Sequence, residues 1–424
     1  MKRALGWIDR LSPGRFLLYL LGLGIGLRVL VLLGVPVQQS SDFLYYTNLG
    51  RSIAAGQGYA DGGVATAFWP PGWPGFLGLL FTAFGPDAWS GQVANLVLSG
   101  GVIALTLYAG ERMFGDRRVG RIAAVVVALM PNQIGYVPLL STEIYYEFLL
   151  LLGIILLFRR EVLALVAAGA VFGIASLTKA QSPLIPAAVL GFACLYHLDW
   201  RTVRRSVGRL LLVYAVMACV IVPWTVRNYG LFHTIIPVST NGGVTLLTGN
   251  NPTAAGDFTP NDPTFTDLSL NPADQVETDR ISKQRAVAWI MAHKLEFLAL
   301  MPRKAWRLWA PDGEAEWLYQ AGYAGYERYR VLFRTVRVLN QALYAALLLL
   351  ALPCLTVLWR RCRARIAPQT GWLLFAYATA ISVVFSGQSR FHFSLIPWIA
   401  IYAAQTLVWG WGRYGAGRRG VAVA

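Results

Sequence analysis

Long apolar runs alternate along most of the chain with short loops rich in arginine. A helix needs about 20 predominantly apolar residues to cross a bilayer. Runs of this kind predict spans near 16–36, 90–110, 119–137, 144–158, 162–178, 183–197, 208–226, 338–358, 371–386 and 393–411. One further apolar run, 73–85 ("WPGFLGLLFTAFG"), reaches only about two-thirds of that length. The pattern predicts an all-α polytopic membrane protein.

Charge placement orients these runs. Arginines cluster at 112–121, 159–160, 201–209, 360–365 and 413–419, whereas the alternate short loops 131–143, 178–183 and 387–392 hold two cations, Lys179 and Arg390. That is a positive-inside alternation. It closes with ten crossings and both termini cytoplasmic if 73–85 is an interfacial or re-entrant helix. If 73–85 crosses, the count is eleven and the sidedness breaks. Two long segments then fall on the outer side, 37–89 and 227–337. Three regions are expected: a transmembrane catalytic module over 1–226, an outer segment over 227–337, and C-terminal transmembrane helices with a basic cytoplasmic tail over 338–424. Within the outer segment, 283–309 ("KQRAVAWIMAHKLEFLALMPRKAWRLW") mixes apolar and basic positions at roughly helical spacing and predicts an amphipathic surface helix.

Composition fits this picture: 56% of the residues are hydrophobic and 14% charged. Mean hydropathy is +0.50. The net charge of +16 resides largely in the loops, so it reads as a topology signal and not as a nucleic-acid surface. The four cysteines, Cys194, Cys219, Cys354 and Cys362, form no CxxC pair and suggest neither a disulfide framework nor a metal site. "MKRALGWIDRLSPGR" leads into the first apolar run without a small-residue cleavage site, so an uncleaved first span is expected.

Candidate chemistry gathers at the outer ends of the spans. Asp42, in "VQQSSDFLYYTNLG", reads either as a helix-capping acid or as a general base at the membrane–water interface. "ATAFWPPGWPGF" (65–76) is an aromatic belt with a turn, or a wall for a sugar or isoprenoid. Glu143 opens an apolar span and is a capping or a functional carboxylate; Glu147 lies one turn deeper. Lys179 and Arg390 run against the charge rule and suit an anion such as a lipid phosphate. Arg227 and the cluster Arg303, Lys304 and Arg307 either join that anion site or meet anionic head groups. His233 and His392 have no metal-ligand partner at usable spacing, and Arg28, inside the first span, is expected to pair with an acid in the bundle.

No Walker A, HExxH, GxSxG or dinucleotide fingerprint is present, and no segment forms a cytoplasmic domain able to bind a nucleotide sugar. Any donor must then arrive through the lipid. The ordered set "SDFLYYTNLGRSIAAGQGY", "FWPPGWPGFLGLL", "MFGDRRVGRIAA", "LLSTE", "SLTKAQSPLIP", "VPWTVRNYGLFHTIIPVSTNGGVTLLTGNN" and "SRFHFSLIPWIA" resembles the GT-C membrane glycosyltransferases. It is most similar to bacterial members near family 39, related to protein O-mannosyltransferases and lipid A aminoarabinose transferases.

The resemblance implies a multi-pass enzyme of the bacterial inner membrane. Such an enzyme transfers a sugar from a polyprenyl-phosphate carrier to a lipid, glycan or protein acceptor on the periplasmic face. Asp42 takes the place of the family's base in the first outer loop. Phe43 follows it, so the Asp-Glu pair of the protein mannosyltransferases is absent. Glu143 resembles a second acid, and Lys179, Arg390, Arg227 and Lys304 are assigned to the carrier phosphate. Tyr45, Tyr46, Trp69, Pro70, Pro71, Asn250 and His392 are assigned to the substrate pocket. A monophosphate donor flanked by cations demands no metal and no cofactor. The competing readings are a transporter or flippase of a lipid-linked glycan, expected to show repeat symmetry that this chain lacks, and an inactive isoprenoid-binding scaffold.

Overall fold

The computed structural model describes residues 11–197, 200–257, 268, 271–311, 314–361 and 367–417. The leader 1–10, most of the Asn- and Pro-rich stretch at 258–267, the basic cluster at 362–365 with Cys362, and the end of the tail, 418–424, lie outside the described residues. The described chain is helical apart from one two-stranded hairpin, β1 (Ala60–Asp61) with β2 (Val64–Ala65), paired antiparallel.

A first helix, α1 (Pro13–Gly34), leads into α2 (Ser41–Ala54), the hairpin and α3 (Gly72–Phe84). Then come α4 (Ala88–Phe114), α5 (Arg117–Leu129), the short α6 (Pro131–Gly135), α7 (Glu143–Leu157), α8 (Val162–Thr178), α9 (Leu184–His197) and α10 (Trp200–Phe232). The segment 227–337 supplies α11 (Gly242–Gly249), α12 (Gln275–Ala292), α13 (Lys294–Trp309) and α14 (Glu314–Gly322). The chain ends in α15 (Arg330–Arg361), α16 (Thr370–Val384), a 3-10 turn (Ser389–Leu395) and α17 (Ile396–Gly417). Each of the ten expected spans overlaps a helix, but 119–137 is divided between α5 and the short α6, and 393–411 begins in the 3-10 turn. Among the described residues, five stretches are long and apolar enough to cross a membrane by length and composition: Pro13–Gly34, Ala88–Phe114, Trp200–Phe232, Glu327–Val357 and Ser389–Gly410.

Burial places α17 and α7 at the centre of the bundle. Every residue from His392 to Gln405 is buried, as are eleven of the residues of α7, which suits helices apolar all round. The helix α5 stops before Pro131, which cannot continue it. The carbonyls of Val127 and Ala128 at that end are met by the buried guanidinium of Arg28, which also donates to Gly24 O and Ser99 Oγ. Arg28 is expected to pair with an acid; Glu147 lies within electrostatic reach, but among the described residues the hydrogen bonds of Arg28 go to these oxygens.

Two further elements lie near the site. α3 has 13 residues, about 20 Å of helix, too short for the hydrocarbon core. It packs against α2 at close range: a Cβ on Gly50 would come 2.9 Å from Leu77, and one on Gly78 would come 2.7 Å from Ile53. The expected helix over 283–309 is broken at His293, whose backbone (φ −121°, ψ 49°) is not helical. Its second half, α13, buries Leu300, Lys304 and Leu308 and leaves Leu295, Leu298 and Trp306 exposed.

Candidate active site

Asp42 stands in the first turn of α2, directly after Ser41, whose φ of 49° is left-handed. Residues with a Cβ seldom adopt that conformation, and held strain of this kind gathers at functional sites. The approach is pinned by Gln39. Its Nε2 donates to Pro138 O at 3.0 Å, and its Oε1 accepts from Leu140 N at 2.8 Å. The same stretch, 137–140, receives the amides of Gln92 and Asn95 and the indole of Trp73. The backbone before Asp42 is thereby fastened to the backbone that leads into Glu143.

Four charges from four distant segments meet here. Asp42 Oδ2 accepts from Arg390 Nη2 at 3.1 Å, and the two side chains are 22% and 24% exposed. Glu143, buried at the start of α7, lies 3.5 Å through Oε1 from Lys179 Nζ and accepts through Oε2 from Thr142 at 3.3 Å. Arg390 is also within electrostatic reach of Glu143, which joins the two pairs. Lys179 Nζ stands 5.3 Å from the ring centre of Tyr146 and 5.7 Å from that of Phe391. Arg390 Nε donates to Gln388 Oε1 at 3.1 Å. Alternating acids and cations, partly open to solvent, provide a proton acceptor beside groups suited to a phosphate.

The aromatic residues divide. Tyr46, one turn along α2 from Asp42, is buried and meets Trp69 edge-on at 5.4 Å. Tyr45 is exposed. The hydroxyl of Tyr59 donates to Trp69 O at 2.9 Å and fixes the turn that carries Pro70 and Pro71 into α3.

Four expected site residues are held elsewhere. Arg227 donates to the carbonyls of Tyr59 (2.8 Å) and Thr66 (2.7 Å) and stacks near Trp224, so it ties α10 to the segment between α2 and α3. Lys304 is buried and donates to Asn250 Oδ1 at 2.7 Å; burial pushes its ammonium down to about 8. Asn250 itself donates to Leu246 O and Val384 O. These two residues join α13, α11 and α16. His392 is buried against Tyr344 and Trp309, with Nδ1 2.6 Å from Leu308 O.

Sequence reasoning missed Gln39, Tyr146 and Phe391 as parts of the site. Tyr146 was legible in principle, three residues after Glu143 and therefore on its helical face. The roles of Gln39 and Phe391 depend on which distant segments meet.

The family model for dolichyl-phosphate-mannose-protein mannosyltransferases matches residues 69–226. That stretch contains Glu143 and Lys179 and leaves out Asp42 and Arg390. No curated protein matches the chain. Among solved structures, the Archaeoglobus fulgidus oligosaccharyltransferase in complex with zinc and sulfate superposes with a TM-score of 0.57 at 15% identity, over 94% of this chain and 49% of that one. The chain has the GT-C fold. A second structure of the Archaeoglobus oligosaccharyltransferase, AglB with an inhibitory peptide and a dolichol-phosphate, gives 0.55 at 16% identity over 97% and 52%. ArnT from Cupriavidus metallidurans, bound to undecaprenyl phosphate, gives 0.45 at 15% identity over 92% and 78%. The chain spans about half the length of the archaeal chains it matches. Within this GT-C fold, the four-charge cluster joins α2, α7, the end of α8 and the turn before α17.

Proposed function

We propose that the chain is a glycosyltransferase of the bacterial inner membrane. It moves a sugar from a polyprenyl-phosphate carrier to an acceptor hydroxyl on the periplasmic face, with Asp42 as general base and inversion at the anomeric carbon. The observation that carries the reading is the convergence of Asp42, Arg390, Glu143 and Lys179. The dolichyl-phosphate-mannose family model and the archaeal neighbour with dolichol-phosphate support a lipid-phosphate donor.

In the reaction, Asp42 takes the proton of the acceptor hydroxyl while its oxygen bonds to the anomeric carbon. The bond from that carbon to the carrier's phosphate oxygen breaks, and its electron pair stays on the phosphate. The carrier leaves as polyprenyl monophosphate. One base opposite the leaving group suffices for such a displacement. Lys179 stabilises the charge that grows on the phosphate, and Arg390 orients Asp42 and adds to the same field. Glu143 holds Lys179 in place and balances its charge between turnovers. Tyr46 and Trp69 form the wall against which the sugar rests, and the outer segment 227–337 covers the site and selects the acceptor.

The test is transfer from a panel of polyprenyl-phosphate sugars by membranes carrying Asp42→Asn. General-base catalysis typically supplies about 10²–10⁴-fold, so the variant is expected to lose that much rate while still inserting and folding. Transfer at near the wild-type rate removes Asp42 as the base.

A further inference from the structure

Away from the four-charge cluster, α14 and the first turns of α15 border an open pocket of about 520 Å³. Arg330, Arg334 and Arg337 line it, spaced so that one helical face carries all three. Glu316, Trp317 and Tyr326 also line it. Glu316 is engaged twice, accepting from Tyr326 OH at 2.8 Å and from Arg337 Nη1 at 2.7 Å. Arg330 pairs with Glu327 at 3.5 Å. Arg334 forms no ion pair at contact distance among the described residues and lies within electrostatic reach of Glu316. Three guanidinium groups against two carboxylates leave the pocket cationic.

Its place in the membrane narrows the ligand. The span-length stretch Glu327–Val357 begins at this pocket, so the arginines stand where a helix enters the lipid. Val331, Leu332, Val338 and Leu339 are exposed on the same turns, an apolar surface beside the cations. On the sidedness expected from the charge alternation this end faces outward, where the positive-inside rule does not call for cations. Guanidinium forks match phosphate oxygens, and apolar side chains next to them match acyl chains.

We propose that this pocket holds the phosphate of a membrane lipid head group, with the lipid's chains along the exposed apolar face of α15. The site touches the approach to Asp42. Gly322, the last residue of α14, accepts through its carbonyl from Gln38 N at 2.9 Å, and a Cβ on it would come 2.3 Å from Gln38 O. Lipid bound here steadies α14 and, through Gln38, the segment that presents Asp42.

The experiment uses the full chain in nanodiscs with two lipid probes that share one photoreactive acyl chain, phosphatidic acid and diacylglycerol. The expected result is labelling within 331–339 by phosphatidic acid and little by diacylglycerol. Arg334→Gln should weaken the capture about tenfold, and Arg334→Lys, which keeps the charge but not the fork, should recover only part of it. Equal labelling by diacylglycerol, or unchanged labelling of Arg334→Gln, overturns the proposal. Complete competition by millimolar inorganic phosphate also overturns it, since the site would then belong to a soluble anion. No sugar donor is present, so the outcome does not depend on whether Asp42 transfers sugar.

Discussion

Glu143 and Glu147 stand one turn apart on α7, yet the molecule surrounds them differently. Glu143 meets Lys179 directly and lies within reach of Arg390, beside a carboxylate that is about one-fifth exposed. Glu147 is wholly buried, accepts the amide of Gln133 at 2.7 Å, and feels Arg28 only through space. The hydrogen bonds of Arg28 go to Ser99 Oγ and three backbone carbonyls. Both groups contain a cation and an acid, but their bonding fits them for different work. Ion pairs near water can trade a partner for a phosphate, whereas buried charges held by backbone carbonyls cannot move without unmaking a helix end. A single turn of depth separates chemistry from architecture.

Removing Arg28 should have the largest effect on stability. Arg28→Met leaves the buried Val127 and Ala128 carbonyls and Ser99 Oγ without their donor, a loss of about 1–3 kcal/mol for each group left unsatisfied. Denaturation in mixed micelles would show it, and an unchanged midpoint would erase the distinction between the two groups. The next variant attacks the other side. Lys179→Gln keeps an amide donor near Glu143, so its unfolding midpoint should fall less than that of Arg28→Met. Its sugar transfer should drop about 10²–10³-fold, the usual scale for losing a group that stabilises developing charge. Stable protein with full transfer would remove Lys179 from the phosphate site.

Much of the helical framework was legible because a lipid-spanning helix must be apolar for about 20 residues, a signal that survives without tertiary information. The short length of 73–85 and its packing as α3 follow from the same constraint. Asp42, Glu143, Lys179 and Arg390 stood out because ionisable residues at the outer ends of apolar runs are costly. Their pairing did not, since Asp42 and Arg390 lie at opposite ends of the chain. The same gap explains Arg227 and Lys304, which share residue type and sidedness with the site cations but are engaged by Tyr59, Thr66 and Asn250. His293, which divides the expected amphipathic helix, sits in a stretch whose hydrophobic spacing gives no warning of a break.

The central claim is that the four-charge cluster receives the carrier phosphate. An electron cryo-microscopy structure of the full chain with polyprenyl monophosphate tests it most directly. The account predicts phosphate density within hydrogen-bond distance of Lys179 Nζ, with Arg390 beside it and Asp42 across the sugar site. Phosphate density on Arg227 or Lys304, with Lys179 still closed on Glu143, would contradict it.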